Sequence, residues 1–301
     1  MALMSDLNSP DAPARNIIHT RDGDRMMVYR WEIDNPRGVV MIVHGVGGHG
    51  MRASEFAKAL NDAGYTAFAP DQLAHGATGE MNFGRSELGP GGNTRAVRAL
   101  EDLTTAMKRR YEGLPFFYYG HSWGSLLGQR VVRRRGREFD GAILGGTTIP
   151  VPGFINMGNL NAAYEPDPSG MQWLSRNPAA VDEFNADPDC FDFQEEPVWN
   201  FLEATQLLSI PKASFLPGSP SDLPLLIMAG GEDPLSFNAR GTRALDWAYR
   251  NIGGHDDVTL KIYPGARHDL LSETNAAEVL ADIVNWLNAH TLEVAPSRGA
   301  A

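Results

Sequence analysis

The stretch Gly120-His121-Ser122-Trp123-Gly124 decides how this chain is interpreted. It follows the apolar run 115–119, which predicts a strand, and precedes a run over 125–135 that predicts a helix. The pattern G-x-S-x-G between a strand and a helix is typical of a turn so tight that Cβ atoms would collide at the glycine positions. Such a turn presents the hydroxyl of Ser122 beside the N-terminus of the following helix, where N–H groups are free. An ordinary glycine-rich turn also fits the bare pentapeptide, but the flanking runs favour a nucleophile.

A nucleophilic serine needs a base to take its proton and an acid to orient that base. Two later segments supply both groups, each at the end of a predicted strand. The first is Gly230-Gly231-Glu232-Asp233-Pro234 and the second is Gly265-Ala266-Arg267-His268-Asp269. The order serine, acid, histidine is that of one large class of serine enzymes. We therefore expect Ser122, Asp233 and His268 to form a catalytic triad, with Glu232 as the rival acid.

A tetrahedral intermediate needs two preorganised N–H donors for its oxyanion. One donor is expected to be the backbone N–H of Trp123, which follows the serine. The loop after the predicted strand 39–43 reads His44-Gly45-Val46-Gly47-Gly48-His49-Gly50, and its glycines allow close backbone approach. We expect the second donor to be the N–H of Val46. His44, and His75 in the next loop, are expected to brace this region.

No specific motif for a cofactor or a metal accompanies these residues. The glycine-rich loop lacks the phosphate-binding pattern G-x-x-x-x-G-K-[ST], and the chain contains no H-E-x-x-H. Gly45, Gly47 and Gly50 have the spacing G-x-G-x-x-G, which by itself is a weak signal for a dinucleotide. Cys190 is the only cysteine, which excludes an internal disulfide and a cysteine-only metal cluster. The sequence therefore predicts chemistry carried out by side chains alone, without a cofactor or a metal.

Composition restricts the partners of the protein. The chain has 301 residues and a formal net charge of −11, which disfavours nucleic acid and anionic membrane surfaces. No apolar run approaches the ~18 residues of a membrane span, and the N-terminus lacks the apolar segment of a signal peptide. We expect a cytoplasmic protein whose partner is a small, apolar ester, without stable membrane insertion. The sequence does not indicate an oligomeric state.

Alternating strand and helix patterns predict an α/β fold. Buried strands are expected over 39–43, 66–69, 116–119, 141–144, 223–229 and 258–263. Such strands separated by helices imply a mostly parallel central sheet with helices on both faces. Residues 16–20 and 26–32 flank a turn and predict a hairpin before this core.

One segment, 147–221, interrupts the alternation. It has no strand pattern, many prolines and many large apolar residues, and short helices are expected over 178–186 and 197–208. We interpret it as a mainly helical cap that divides the core into 1–146 and 222–301, and an independent small domain is the alternative. Four of its apolar residues are expected to line a substrate pocket: Phe154, Met157, Trp173 and Trp199.

These residues together resemble the α/β-hydrolase superfamily, and within it the monoacylglycerol lipase and lysophospholipase branch of the serine aminopeptidase S33 type. The matching motifs are those around His44, Ser122, Asp233 and His268, with the cap stretch 173–176. The resemblance implies that Ser122, Asp233 and His268 are the triad, that Val46 and Trp123 supply the oxyanion donors, and that the cap covers an acyl-chain pocket.

The sequence departs from the pattern of that branch at three places. Trp123 stands where relatives commonly carry methionine, which predicts a narrower pocket. Gly48-His49-Gly50 replaces a Gly-Glu-His segment, and Ala74-His75-Gly76 replaces Gly-His-Gly. These changes leave the predicted fold and triad intact but put the identity of the substrate in doubt.

Three hypotheses for the function therefore stay open. The first is a serine ester hydrolase that cleaves monoacylglycerol-like or lysophospholipid-like acyl esters through an acyl-serine intermediate. The second is a carboxylesterase for compact or aromatic esters, suggested by Trp123 and the aromatic cap. The third is a catalytically silent binding protein on a hydrolase scaffold. The serine, acid and histidine in the expected order speak against the third.

Overall fold

A mostly parallel sheet of eight strands forms the centre of the protein in the computed structural model, which describes residues 12–211 and 220–294. The strands run in chain order as follows: β1 Ala14–His19, β2 Arg25–Trp31, β3 Gly38–Val43, β4 Tyr65–Pro70, β5 Phe116–His121, β6 Gly141–Gly145, β7 Leu225–Gly230 and β8 Val258–Tyr263. The order across the sheet is β1-β2-β4-β3-β5-β6-β7-β8. The pairs β1–β2 and β2–β4 are antiparallel, and the other neighbouring pairs are parallel.

Helices cover both faces of the sheet because successive side chains of a strand point to opposite faces. In β3, Val39, Met41 and Val43 enter one apolar core, whereas Val40 and Ile42 enter the other. The α-helices are α1 Ser54–Asp62, α2 Gly76–Met81, α3 Gly92–Arg110, α4 Trp123–Arg135, α5 Pro178–Ala186, α6 Phe201–Thr205, α7 Arg240–Asn251 and α8 Ala276–Val294. The first core contains side chains of α3, α4 and α7, and the second contains those of α1 and α8.

The predicted α/β class and mostly parallel sheet are confirmed. The predicted strands agree with the observed ones to within two residues at each end, and the hairpin is formed by β1 and β2. Such agreement arises because the parallel strands from β3 to β7 are buried on both faces, and such strands are apolar runs bounded by polar or glycine residues. In the described part of the chain, every helix is too short or too polar to cross a membrane.

The segment between β6 and β7 connects two neighbouring strands of the sheet, which pair in parallel. We call this segment the cap. Residues 212–219 of the cap lie outside the described residues. The rest is less helical than expected: α5 has the predicted bounds, but α6 spans only five residues instead of 197–208. Turns and irregular backbone account for most of the other described cap residues.

Candidate active site

Ser122 lies on a strained turn between β5 and α4. Its φ of 54° and ψ of −121° are unusual for a residue with a side chain, and its backbone N–H donates to Gly145 at 3.0 Å. A Cβ on Gly120 would lie 2.6 Å from the carbonyl oxygen of Gly124, and a Cβ on Gly124 would lie 2.3 Å from that of Val43. Both positions therefore exclude any side chain, which is why the turn requires glycine at each.

Asp233 and His268 meet beside this turn, at the carboxyl ends of neighbouring strands. Asp233 follows β7 and His268 follows β8, and Nδ1 of the imidazole lies 3.1 Å from Oδ2 of the carboxylate. Both side chains are buried, and Oδ1 of Asp233 accepts the N–H of Leu235 at 2.9 Å. The hydrogen bond from Leu235 fixes the carboxylate beside the imidazole. Glu232 has an exposed side chain.

Two further aromatic rings pack against the imidazole of His268. The centroid of Trp173, a cap residue, lies 4.7 Å from that of the imidazole, and the centroid of His121 lies 5.0 Å away. Nε2 of His268 is buried and has no hydrogen-bond partner among the described residues. Ser122 and His268 line the same cavity, so this nitrogen is available to a proton of the serine hydroxyl.

The loop after β3, residues 44–49, passes directly over Ser122, and we call it the oxyanion loop. A Cβ on Gly45 would lie 3.0 Å from that of Ser122. His44 contacts the carbonyl oxygen of Gly45 through Nδ1 at 2.7 Å and accepts the N–H of Gln72 at Nε2, 3.0 Å away. His75 accepts the N–H of Gly47 at 2.9 Å. Both histidines therefore hold the loop.

Two backbone N–H groups beside Ser122 remain without a hydrogen-bond partner among the described residues. They belong to Val46, in the oxyanion loop, and to Trp123, the first residue of α4. A free N–H at a helix N-terminus carries partial positive charge and suits an anionic oxygen. A serine hydroxyl, a buried histidine paired with a carboxylate, and two free donors form a set that can perform nucleophilic acyl transfer.

A cavity of about 470 Å³ opens at Ser122 and His268. This volume lies within the ~300–1,000 Å³ typical of small-molecule sites. Its wall is built from the end of β3 and the oxyanion loop, the start of α1, helix α5 of the cap, and the segment between His268 and Leu280. Apolar side chains provide much of this wall, and Phe56, Leu174, Ala180 and Phe184 are among them.

Only one of the four aromatic or methionine residues expected at the pocket lines this cavity, and it is Trp173. Met157 is 65% exposed at the surface. Phe154 lies under the guanidinium of Arg240, and Trp199 packs on Trp123 with ring centroids 5.5 Å apart. The apolar content of the cap indicated a pocket wall, but it did not distinguish wall residues from those packed elsewhere.

The expectation that Trp123 narrows the pocket is wrong. Its side chain turns away from the cavity into the core, where only 1% of it is exposed. There Nε1 donates to Oδ1 of Asn93 at 2.8 Å, and the ring lies 5.3 Å from that of His75. The backbone N–H of Trp123 thus faces the site while its indole packs behind it.

One cluster in the described part of the chain has the donor types of a metal site. The ligand atoms of His49, Asp187 and Cys190 lie within 4.8 Å of one another, and all three residues are buried. Asp187 is already engaged, since His49 contacts it at 2.9 Å and Arg52 lies 3.7 Å away. A fixed guanidinium charge at that distance opposes a second cation. The cluster fits an ion-paired network better than a metal.

The buried histidines of the site predict how stability depends on pH. Burial lowers the pKa of His75 to about 4, and burial together with the nearby His75 lowers that of His44 well below its usual value. In the unfolded chain each titrates near ~6.5. Between pH 6.5 and 4 the unfolded state therefore binds more protons, and the free energy of unfolding falls as pH falls, by about 1.4 kcal/mol per pH unit for each histidine.

Urea unfolding from pH 7 to pH 5 measures this slope. His75→Gln should reduce it by up to about 1.4 kcal/mol per pH unit, a limit approached near pH 5, because one proton fewer is taken up on unfolding. His19→Gln, at an exposed position in β1, is the control and should leave the slope unchanged. An identical slope in wild type and His75→Gln would contradict the neutral, buried state of His75.

Comparison with known proteins agrees with this arrangement. Residues 34–275 match the model of the family described as serine aminopeptidase, S33. The chain is 27% identical to human monoglyceride lipase over 295 residues, which cover 90% of this chain and 89% of the relative. It is 25% identical to a monoacylglycerol lipase of Mycolicibacterium smegmatis, covering 89% of this chain and 94% of that protein.

Solved structures show the same fold. A thermostable carboxyl esterase from Bacillus coagulans superimposes with a TM-score of 0.80 at 24% identity, covering 93% of this chain and 99% of that one. A soluble variant of monoglyceride lipase from Saccharomyces cerevisiae gives a TM-score of 0.71 at 20% identity, covering 94% and 97%. At these identities the likeness supports the α/β-hydrolase fold alone.

Proposed function

This chain belongs to the serine aminopeptidase S33 family of α/β-hydrolases, and we propose that it hydrolyses carboxylic esters of an acyl chain with a small head group, of the monoacylglycerol type. The paired Asp233 and His268 beside the strained Ser122 carry this proposal. Relatives named as monoglyceride lipases support the substrate class. A cytoplasmic location and the domain bounds 1–146, 147–221 and 222–301 stay predictions.

In the first half of the reaction, the hydroxyl of Ser122 attacks the ester carbonyl. Nε2 of His268 accepts the proton of the hydroxyl, and Asp233 stabilises the resulting imidazolium and holds its ring in position. The negative charge on the carbonyl oxygen is met by the N–H groups of Val46 and Trp123. His268 then returns the proton to the leaving alcohol, and an acyl ester of Ser122 remains.

In the second half, a water molecule repeats these steps. His268 takes a proton from the water, which attacks the acyl carbonyl, and the same two N–H groups stabilise the second oxyanion. Collapse of that intermediate releases the carboxylic acid and restores the hydroxyl of Ser122. Each step uses only groups of this chain, the ester and water.

A silent binding protein is a poorer explanation of the same geometry. The φ of Ser122 is strained, and a strained residue persists only where the surroundings impose it. Nε2 of His268 is buried without a partner, which costs stability in a protein that only binds a ligand. Both costs are explained if the groups meet a reacting substrate.

The cavity favours an acyl chain over a compact ester. The compact-ester hypothesis was based on Trp123 and the aromatic cap. The indole of Trp123 is buried in the core, and of the cap residues expected at the pocket only Trp173 lines the cavity. The wall instead includes Leu174, Ala180 and Phe184 from the cap, which suit a flexible apolar chain.

The family description also raises peptide hydrolysis, because an aminopeptidase must bind the free ammonium of its substrate. Carboxylates do line the cavity, but two of them already have cationic partners: Glu55 contacts Lys58 at 2.9 Å, and Glu273 contacts Arg176 at 2.8 Å. Neither is well placed to hold a second ammonium group. Glu183 and Asp269 also line the cavity, so an aminoacyl substrate belongs in the kinetic test of the substrate class.

We expect kcat/KM to rise with acyl length until the cavity is filled. A buried methylene contributes about 0.8 kcal/mol, so each added carbon should increase kcat/KM by up to roughly fourfold. Ala180→Trp adds bulk from α5 to the cavity wall and should end this rise at a shorter chain. Initial rates on a series of p-nitrophenyl esters measure the effect.

Ala179→Trp is the matched control, because Ala179 precedes Ala180 in the same helix but is exposed and lies outside the cavity wall. It should give the chain-length profile of the wild type. If Ala180→Trp also left the profile unchanged, the cavity would not be the acyl site.

A kinetic panel tests the proposed substrate class directly. Purified protein is given monoacylglycerols, lysophospholipids, short p-nitrophenyl esters and an aminoacyl p-nitroanilide. The highest kcat/KM is expected for a monoacylglycerol. A preference for the anilide would replace the ester proposal by a peptidase, and a preference for acetyl esters would restore the compact-ester alternative.

A further inference from the structure

We propose that the cap segment 187–191 positions the oxyanion loop from above, so that Asp187 and Phe191 are positioning residues for the oxyanion donor on Val46. We call this segment the cap clamp. The proposal rests on the proposed function, since it assigns a role to residues outside the triad in the same reaction. It follows from three contacts between the cap clamp and the oxyanion loop or its support.

The first contact is a backbone hydrogen bond. The N–H of Phe191 donates to the carbonyl oxygen of Gly47 at 3.0 Å, immediately after Val46. Gly47 has a φ of 77°, and a Cβ there would lie 2.1 Å from the carbonyl oxygen of Phe191. The cap backbone thus lies against the loop with no room for a side chain, and movement of one requires movement of the other.

The second contact is a buried hydrogen bond between side chains. Nε2 of His49 lies 2.9 Å from Oδ2 of Asp187, and the two side chains are only 3% and 4% exposed. Oδ1 of Asp187 accepts the N–H of Asp189, which fixes the carboxylate within the cap clamp. Burial alone would raise the pKa of Asp187, but the hydrogen bond and charge of His49, with the charge of Arg52, lower it below its usual value. The pair therefore ties the C-terminal end of the oxyanion loop to the cap.

The third contact runs through His75. The ring of Phe191 stacks on its imidazole with centroids 5.1 Å apart. Nε2 of the same imidazole accepts the N–H of Gly47 at 2.9 Å, and Nδ1 contacts the carbonyl oxygen of Leu73 at 2.8 Å. The ring of Phe191 thus orients the imidazole of His75, whose Nε2 accepts the N–H of Gly47.

Different parts of the protein hold the backbone on the two sides of Val46. On the N-terminal side, His44 is held by Gln72 of the core. On the C-terminal side, Gly47 and His49 are held by the cap clamp. The direction of the Val46 N–H depends on both flanks. Because an oxyanion donor acts in the transition state and little in substrate binding, loss of one flank should lower kcat and leave KM nearly unchanged.

Asp187→Ala tests the contact with His49, and Phe191→Leu tests the stacking if the first variant folds poorly. We expect Asp187→Ala to lower kcat roughly ten- to hundredfold, since a donor displaced by about 1 Å can lose this much. Phe191→Leu, which keeps the backbone bond, should lower kcat by roughly three- to tenfold, with KM within twofold in both. Asp187→Asn keeps an acceptor for His49 and should restore most of the activity.

A trifluoromethyl ketone separates positioning from general damage to the cap. It forms a tetrahedral adduct with the serine that carries an oxyanion, so its Ki should increase by the factor by which kcat/KM falls. Asp167→Ala is the matched control: this cap aspartate accepts bonds from Asn161 and Ser169 but touches neither the loop nor the cavity. It should match wild type in kcat and Ki.

The outcomes distinguish this proposal from the proposed function. A wild-type kcat in folded Asp187→Ala and Phe191→Leu, or a loss confined to KM, would overturn the positioning role while Ser122 still reacted with a fluorophosphonate. Failure of wild-type Ser122 to react would instead overturn the proposed function.

Discussion

Replacing Ser122 with alanine is expected to lower kcat/KM by about 10⁴- to 10⁶-fold. The hydroxyl is the only group of the site that can form the acyl ester, and water alone replaces it poorly. Oγ of Ser122 makes no hydrogen bond to a described residue. Alanine should therefore leave the turn folded, so that the variant loses catalytic activity but keeps the stability of the wild type. Ester turnover and thermal unfolding of the same preparation measure both.

Ser54→Ala is the control for this variant. Ser54 also stands at the start of a helix, and its hydroxyl donates to the carbonyl oxygen of Met51. Ser54 itself does not line the cavity, although its neighbours Ala53 and Glu55 do. It should keep wild-type kcat/KM within about twofold, since surface changes of this kind are usually small. A folded Ser122→Ala variant with more than a few per cent of wild-type activity would remove Ser122 from the mechanism.

Asp233→Asn is expected to lower kcat by about 10⁴-fold. The amide can still accept the N–H of Leu235 through Oδ1, so the turn after β7 keeps its hydrogen bond. However, its NH₂ group then faces Nδ1 of His268, which must become an acceptor. The proton of the neutral imidazole then resides on Nε2, and that nitrogen can no longer accept the proton of Ser122.

Glu232→Gln is the matched control, because it changes the neighbouring carboxylate to an amide at an exposed position. It should keep wild-type kcat within about twofold. The double variant Ser122→Ala with Asp233→Asn should be no slower than Ser122→Ala alone, since triad residues act as a unit. A large loss in Glu232→Gln with little loss in Asp233→Asn would assign the acid to Glu232.

Sequence patterns predicted the sheet well because its signals are local. A strand such as β7 is an apolar run that ends at two glycines, and the elbow at Ser122 is defined by glycines two residues away on either side. The positions of Asp233 and His268 followed from the same logic, since parallel strands bring their carboxyl ends to one edge of the sheet.

The cap was harder to predict, for reasons visible in two places. Helix α6 begins after Asn200, where Asn200 and Glu203 form a capping box. That pattern is present in the sequence and could have corrected the predicted start at 197. The pair His49 and Asp187 is different, because the residues are 138 positions apart and no local pattern relates them.

The indole of Trp123 shows a further limit of sequence analysis. Its position next to the serine suggested a pocket wall, but the hydrogen bond to Asn93 and the rings of His75 and Trp199 hold it in the core. Which side of a backbone a large ring occupies depends on partners from distant elements, and a single sequence does not reveal them.

The central claim is that Ser122 forms the covalent acyl intermediate, and a fluorophosphonate probe tests it most directly. The probe phosphonylates a serine only when a base and oxyanion donors activate it. Intact mass and peptide mapping of the labelled protein should show one adduct per chain, on Ser122, with esterase activity lost in proportion to labelling. Ser122→Ala should remain unlabelled. Labelling of another residue, or full esterase activity after complete labelling of Ser122, would contradict the account.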